Sequence, residues 1–140
     1  MKASLFFGLL SLSFLAHGLA SAEEFRCTTE NRPGSACHNC ELDRSVGSGN
    51  SVNANGSAIR CDNSLLGHDN IFWLTDCIGN EDGRMVHGAG APDSCNGFAL
   101  EDDILHGICR ATNGARRYSN INIADYFGVS SDNLWGYCIR

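Results

Sequence analysis

The sequence predicts an all-β domain held together by disulfides, and three observations lead to that prediction. Apolar residues occur in short runs rich in β-branched and aromatic side chains, each bounded by Gly, Asn, Asp or Ser. No segment keeps an apolar stripe at helical spacing for three turns. The chain also has eight cysteines, an even number that indicates four disulfides in an exported protein.

The N-terminus has the pattern of a secretory signal peptide. Met1-Lys2 precedes an apolar run from Leu5 to Leu15, and Ala20-Ser21-Ala22 offers small residues for cleavage. The run is too short for a membrane span, which needs about 20 apolar residues. We therefore expect a secreted, extracellular protein that loses residues 1–22 and keeps residues 23–140 as a single domain.

The charge balance argues against nucleic acid and membranes as partners. The whole chain has a net charge of −6, and loss of Lys2 with the signal peptide leaves −7 and no lysine. Such a surface repels polyanions. Membrane insertion is not expected either, because no later segment is apolar enough.

An internal repeat organises the chain. The segment Leu74 to Met85 returns in a fainter form as Ile123 to Leu134, with large apolar residues at steps of four and eleven in both copies. This spacing predicts a strand end, a short helical turn and a hairpin in each half. The first hairpin would turn at Asn80-Glu81-Asp82-Gly83, where Asp-Gly supplies positive backbone angles. Asp132-Asn133 predicts a looser turn in the second copy.

The rest of the chain alternates strand candidates with turns. Predicted strands are Ala36 to Leu42, Ala58 to Cys61, Ile71 to Leu74, Ile104 to Cys109, Tyr118 to Ile123 and Leu134 to Ile139. Residues 45–57 are rich in Ser, Gly and Asn and predict an exposed loop. Within it, Asn55-Gly56-Ser57 is an N-glycosylation candidate or a chance sequon. His87 to Asp93 predicts a flexible joint between the halves.

These motifs resemble the repeat of the cyanovirin-N homology family. In the second half the similar residues are Ser94-Cys95, Leu105 to Cys109, Ile121 to Ile123, Phe127 and Leu134. In the first half they are Cys37, Cys61, Phe72 to Leu74 and, most closely, Cys77 to Met85. The resemblance spans roughly residues 35 to 138. It departs from the family in the Ser/Gly/Asn insertion and in the second half, which lacks an Asn-x-x-Gly turn.

The resemblance implies a pseudo-symmetric domain of two triple-stranded sheets and two hairpins. Repeat one would span about 35–87 and repeat two about 94–139. It also implies a lectin for mannose-rich glycans rather than an enzyme. Each pocket would combine a hairpin turn of one repeat with loops beside the disulfide of the other.

Carried onto this sequence, one pocket would contain polar turn and loop residues. They are Gly79, Asn80, Glu81, Asp82, the loop Ala89 to Ser94 with Asp93 and Ser94, Arg110, Thr112 and Gly114. The other pocket would use Ser35, Ala36, Asp62, Ser64, Val129 and Ser131, with Val129 in place of the turn asparagine. We therefore expect the second pocket to be weak or lost.

The chemistry of the first set suits a neutral sugar, whose adjacent hydroxyls both donate and accept hydrogen bonds. Asp82 and Asp93 can accept, Asn80 can do both, and Arg110 is a fork-shaped donor. The alternative is that Asn80 and Asp82 only hold the turn and that Arg110 is a solvated surface charge.

The resemblance implies two of the four disulfides. The resemblance pairs Cys37 with Cys61 and Cys95 with Cys109, which leaves four cysteines and three connectivities. We favour Cys27 with Cys138, because chain ends of compact domains often lie close together, and therefore Cys40 with Cys77. Cys37-His38-Asn39-Cys40 has a metal-like spacing, but no second pair completes a zinc site, and we expect no metal and no cofactor.

The leading hypothesis is a secreted lectin, as the resemblance implies. Catalysis is not expected, since the histidines show no metal-binding spacing and no nucleophile motif accompanies them. The rival hypothesis is a disulfide-rich secreted interaction or effector protein that keeps the fold without sugar binding. The glycine-rich joint between the halves also suggests a domain-swapped homodimer.

Overall fold

The structure is a computed structural model that describes residues 23–32, 34–43, 57–132 and 136–140. The predicted signal peptide, most of the predicted loop 45–57 with Asn55, and Asn133 of the predicted second turn lie outside the described residues. No helix within the described ranges is long and apolar enough to cross a membrane.

The described residues form four small antiparallel sheets. The strands of the first half and its short helix are β1 (Glu24–Arg26), β2 (Cys37–Asp43), β3 (Ala58–Asn63), β4 (His68–Trp73), α1 (Leu74–Cys77), β5 (Ile78–Glu81) and β6 (Arg84–His87). Those of the second half are β7 (Cys95–Glu101), β8 (Ile104–Arg110), β9 (Arg116–Asn122), β10 (Phe127–Ser130) and β11 (Tyr137–Cys138). The sheet orders are β2-β3-β4, β5-β6, β7-β8-β9 and β1-β10-β11.

The predicted repeat is confirmed in its order of elements. Each triple-stranded sheet leads into a short helical turn, α1 in the first half and a 3₁₀ turn at Ile123–Asp125 in the second, and then into a hairpin. Five of the six repeated apolar positions are buried: Leu74, Ile78, Met85, Ile123 and Phe127. The sixth, Leu134, which also begins the last predicted strand, lies outside the described residues. One continuous core therefore joins the two halves.

The second hairpin has a third strand that the sequence did not predict. β1 pairs with β10, with Phe25 opposite Val129, and continues into a backbone hydrogen bond from Cys27 N to Phe127 O of 3.0 Å. A three-residue edge strand needs only one inward side chain. Residues 23–35 are mostly polar, so they lack the apolar alternation from which a strand is predicted. The segment after the predicted cleavage point thus completes the sheet of the second half.

Three of the four predicted disulfides are wrong, and only Cys95–Cys109 is confirmed. The observed bonds are Cys27–Cys37, Cys40–Cys61 and Cys77–Cys138. The predicted Cys27–Cys138 bond fails although the chain ends do lie near each other. Since β10 lies between β1 and β11, the ends are two strand spacings apart, roughly 9–10 Å, which is too far for a disulfide.

The predicted bonds Cys37–Cys61 and Cys40–Cys77 fail because of strand register. Cys37 lies opposite Asn63, whereas in the second sheet Cys95 lies opposite Cys109. Both sheets have the same bulge, between His38 and Glu41 in the first and between Asn96 and Ala99 in the second. Cys61 therefore lies at the place of Gly107, two residues from the one that faces Cys37, and bonds Cys40 across the bulge. The inter-strand disulfide of the first sheet is therefore displaced along the strands from the position that the resemblance implied.

In the second sheet the position of Cys40 is taken by Phe98 and that of Cys61 by Gly107. A side chain on Gly107 would meet the Phe98 ring at 3.2 Å, so the glycine makes room for the ring. The two halves thus fill one interior position in different ways, with a covalent bond in one and an aromatic ring in the other.

The first hairpin packs against the second repeat. The backbone N–H of Met85 in β6 donates to the buried Ser119 Oγ of β9 at 2.9 Å. The joint that we predicted to be flexible forms a 3₁₀ turn at Ala91–Asp93, and Gly90 N donates to Thr75 O of α1 at 2.8 Å. These bonds fix the first hairpin turn beside the disulfide Cys95–Cys109.

Candidate functional site

The turn of the first hairpin forms as predicted. Asp82 has φ 49° and Gly83 has φ 86°, the left-handed angles that this tight turn requires. Asn80 Oδ1 accepts a hydrogen bond of 2.8 Å from the backbone N–H of Gly83, which closes the turn. The local sequence therefore determines the shape of the turn.

Asn80 also joins the turn to the other repeat. Its Nδ2 donates to Ser94 Oγ at 2.7 Å and to the backbone carbonyl of Arg110 at 2.9 Å. Both amide protons and one acceptor direction of Asn80 are thus engaged within the protein. Asn80 positions Ser94 and Arg110, and its own capacity to bind a ligand is small.

Asp82 makes a second link. Its Oδ1 accepts hydrogen bonds from the backbone N–H of Thr112 at 3.0 Å and from the Thr112 hydroxyl at 2.8 Å. These two bonds, helped by the positive charge of Arg117, hold the pKa of Asp82 below its usual value. Asp82 and Thr112, both predicted site residues, therefore act together as a clamp at the edge of the site.

A shallow groove of about 130 Å³ lies next to this clamp. It is lined by residues 92–96, by Ile108 and Arg110 of β8, and by Arg116 at the start of β9. Asp93 offers acceptors, Ser94 offers a hydroxyl, and both arginines offer fork-shaped donors beside the apolar surface of Ile108. This mixture of polar groups around an apolar surface is what a small polar ligand with C–H faces requires.

The predicted site residues divide into two groups. Asp93, Ser94 and Arg110 line the groove, as does Pro92 of the predicted loop. The predicted residues outside its lining are Gly79, Asn80, Glu81, Asp82, Thr112 and Gly114. Gly79 is buried, and a side chain there would meet the backbone N of Ala89 at 3.3 Å, so it allows close packing of the joint. The turn thus supports a site that the following loop and strands form.

Sequence reasoning missed Asn96, Ile108 and Arg116. A signal for Arg116 was present, because Asn113-Gly114 is a typical hairpin dipeptide and Ala111 N bonds Ala115 O across it at 2.7 Å. Counting outward from that turn pairs Arg110 with Arg116, as the register shows. Strand alternation then places Ile108 on the same face as Arg110.

The residues predicted for the second pocket, all of them described, do not converge around a free polar centre. Val129 is fully buried opposite Phe25, and Ser131 exchanges hydrogen bonds with Glu23. Ser64 Oγ donates to the carbonyl of Ser35 at 2.9 Å. Strand β1 therefore occupies the edge of this hairpin, and the other members of the set bond to the protein.

Four cysteines cluster closely enough to hold a metal ion, but they are bonded to one another as disulfides. The sulfur atoms of Cys27, Cys37, Cys40 and Cys61 all lie within 4.8 Å of one another. A soft metal ion binds thiolates, but these four atoms form two disulfide bonds and none of them is a thiolate.

The comparisons with known proteins bear on the fold. No protein-family model matches the sequence, and no curated protein matches it. The fold is similar to that of microvirin. That structure, of microvirin with mannobiose, has 18% sequence identity to this chain and a TM-score of 0.53, and the match covers 71% of this chain and 92% of microvirin. Microvirin is a cyanovirin-N family lectin. The predicted all-β, disulfide-linked, cyanovirin-like fold is thereby confirmed.

Proposed function

We propose that this protein is a secreted lectin that binds mannose-containing glycans in the groove beside the first hairpin turn. The observation that carries the proposal is the convergence of Asp93, Ser94 and Arg110 around an apolar side chain, at the place where Asn80 joins the two repeats. The similarity to microvirin, whose structure contains mannobiose, supports sugar as the ligand class.

The proposal predicts where a sugar will bind. Titration of isotope-labelled protein with mannobiose should shift the backbone amide signals of Ser94, Asn96 and Arg110. The amides of Phe25 and Val129 in the second hairpin provide an internal control and should not shift. If saturating mannobiose left the amide signals of the groove residues unshifted, the proposal would be contradicted.

The proposal includes a single site in each chain, because β10 of the second hairpin pairs with β1 and carries the buried Val129 in place of Asn80. A monomer should then bind mannan-coated particles without agglutinating them, since crosslinking needs two competent sites. A domain-swapped homodimer would carry two grooves and would agglutinate. Agglutination by a fraction shown by light scattering to be monomeric would mean that the second site works.

One observation favours the rival function, a secreted interaction protein without sugar binding. The polar side chains of the turn, Asn80 and Asp82, are engaged within the protein. A glycan array with the oxidised protein separates the two functions, because the rival predicts no glycan signal at any concentration tested.

A further inference from the structure

The groove contains two arginines that face each other across adjacent strands. Arg110 in β8 and Arg116 in β9 are directly paired in the register, and both side chains line the groove. Residues directly opposite each other in an antiparallel pair extend from the same face of the sheet, and like charges at such positions destabilise it. A like-charged pair at this place therefore requires an explanation.

No acidic side chain neutralises this pair. All sixteen Asp and Glu residues of the chain belong to the described residues, and none of them has a carboxylate oxygen within 4.0 Å of a nitrogen of Arg110 or Arg116. By contrast, Arg26, Arg32 and Arg60 each form an ion pair. The charged side chains lining the groove, two arginines and Asp93, sum to +1 in a chain whose net charge is −6. The groove is thus a positive site on an acidic protein.

The surface next to the arginines suits a sugar ring. Ile108 lies opposite Tyr118, two residue pairs along from the arginines and therefore on the same face, and the two side chains are 41% and 63% exposed. His106 stacks on Tyr118 with ring centroids 5.7 Å apart, which supports the tyrosine ring. An exposed aromatic ring beside an aliphatic side chain is a surface on which the C–H face of a sugar can pack.

We propose that the preferred ligand of this groove is an anionic saccharide, a sugar that carries a phosphate, sulfate or carboxylate group. Its ring lies over Ile108 and Tyr118, and its anionic group accepts hydrogen bonds from the guanidinium groups of Arg110 and Arg116. The groove, at about 130 Å³, is smaller than the roughly 300–1,000 Å³ of most ligand pockets and so suits one ring with its substituent. The inference rests on the proposed function, because it names the sugar class for the same groove.

The test compares neutral and charged sugars at low and high salt. Calorimetric titrations would use methyl α-mannoside, mannose 6-phosphate, glucuronic acid and inorganic phosphate. We expect the better of the two anionic sugars to bind about tenfold more tightly than the neutral one at low salt, because hydrogen bonds to charged groups are the stronger ones. This ratio should fall towards one at high salt. Comparison of the phosphate and carboxylate sugars identifies the anionic group that the site prefers.

Two substitutions that remove the same charge provide the control. Arg116→Gln should abolish most of the preference for the anionic sugar. Arg32→Gln removes an arginine that is also exposed and that pairs with Glu30 away from the groove, and it should keep the preference. Circular dichroism of both variants checks that they are folded. If Arg116→Gln does not fold, Arg110→Gln provides the same test on the other strand.

The outcomes separate this inference from the proposed function. Equal binding of neutral and anionic sugars would overturn the inference and leave the lectin proposal standing. Binding of no sugar would overturn both. Inorganic phosphate that binds as tightly as mannose 6-phosphate would also overturn the inference, because the site would then recognise an anion without its ring.

Discussion

The two hairpins occupy equivalent places in the repeats and have different surroundings. The first, β5–β6, presents a polar turn that is hydrogen-bonded to the loop and strands of the other repeat through Asn80 and Asp82. The second, β10–β11, carries the fully buried Val129 where the first has Asn80, and β1 pairs along its edge. The first hairpin stands beside a groove in which polar side chains converge, whereas residues 133–135 of the second hairpin lie outside the described residues.

This difference shows how a duplicated fold can divide two roles between its halves. A hairpin that bonds through side chains leaves the neighbouring strands open to a ligand. A hairpin whose edge accepts another strand gains backbone hydrogen bonds and apolar burial, and it loses its access to solvent. We infer that the first half supports recognition and that the second half fixes the N-terminal segment.

The largest expected effect concerns the interior of the second sheet. Phe98→Ala removes a ring that is 5% exposed and packs on Gly107, and we expect the free energy of unfolding to fall by about 3–5 kcal/mol. Chemical denaturation of the oxidised protein measures the change. A loss below about 1 kcal/mol would mean that the ring does not replace the disulfide of the first sheet.

The matching change in the first sheet should lower the free energy of unfolding slightly less than Phe98→Ala does. Replacing Cys40 and Cys61 together by alanine removes a bond across a sequence separation of 21, which should lower the free energy of unfolding by about 3 kcal/mol. Peptide mapping without reduction should still find Cys27–Cys37. If mapping of the unmodified protein links Cys37 to Cys61 instead, the register described for the first sheet is wrong.

A third substitution gives the second hairpin the polar residue of the first. Val129→Asn buries an amide among apolar groups, and we expect the free energy of unfolding to fall by about 2 kcal/mol without any gain in mannobiose affinity. Denaturation and titration of one preparation measure both quantities. A second binding event in the titration would show that the residue at position 129 alone decides whether the second hairpin binds mannobiose.

The corresponding change in the first hairpin should act more on binding than on folding. Asn80→Ala removes bonds to Ser94 and Arg110, and we expect a loss of about 1–2 kcal/mol in stability and a tenfold or greater loss in mannobiose affinity. Ser131→Ala in the second hairpin is the matched control and should leave the affinity unchanged. Equal mannobiose affinities for the native protein, Asn80→Ala and Ser131→Ala would mean that the first hairpin takes no part in the site.

The smallest effect is a pH dependence from Asp82. Its pKa is lower in the folded state than in the unfolded state, so the stability it contributes is present above about pH 4 and is lost as the pH falls through the folded pKa. The stability difference between the native protein and Asp82→Asn should therefore shrink below about pH 4. Asp102→Asn, at a turn residue with the same φ of 49°, controls for replacement of a turn aspartate. A difference that stays constant across this range would contradict the bonds from Thr112.

Much of the fold could be predicted from local pattern. The steps of four between Leu74 and Ile78 and between Ile123 and Phe127 identified the buried positions, because burial of one face forces a period on the sequence. The Asp82-Gly83 turn followed from backbone angles that few other residue pairs adopt. Asp93, Ser94 and Arg110, which line the groove, were predicted through the resemblance to the cyanovirin-N homology family.

Only the tertiary structure decided the disulfide pairing and the third strand of the second hairpin. Cys37 faces Asn63 while Cys61 bonds Cys40, and nothing in the local sequence reports which residues of two strands lie opposite each other. β1 pairs with a strand about a hundred residues later, which a polar segment cannot signal. Local propensities determined the elements and the Asn113-Gly114 turn that pairs Arg110 with Arg116, whereas contacts between residues distant in the sequence fixed where those elements meet.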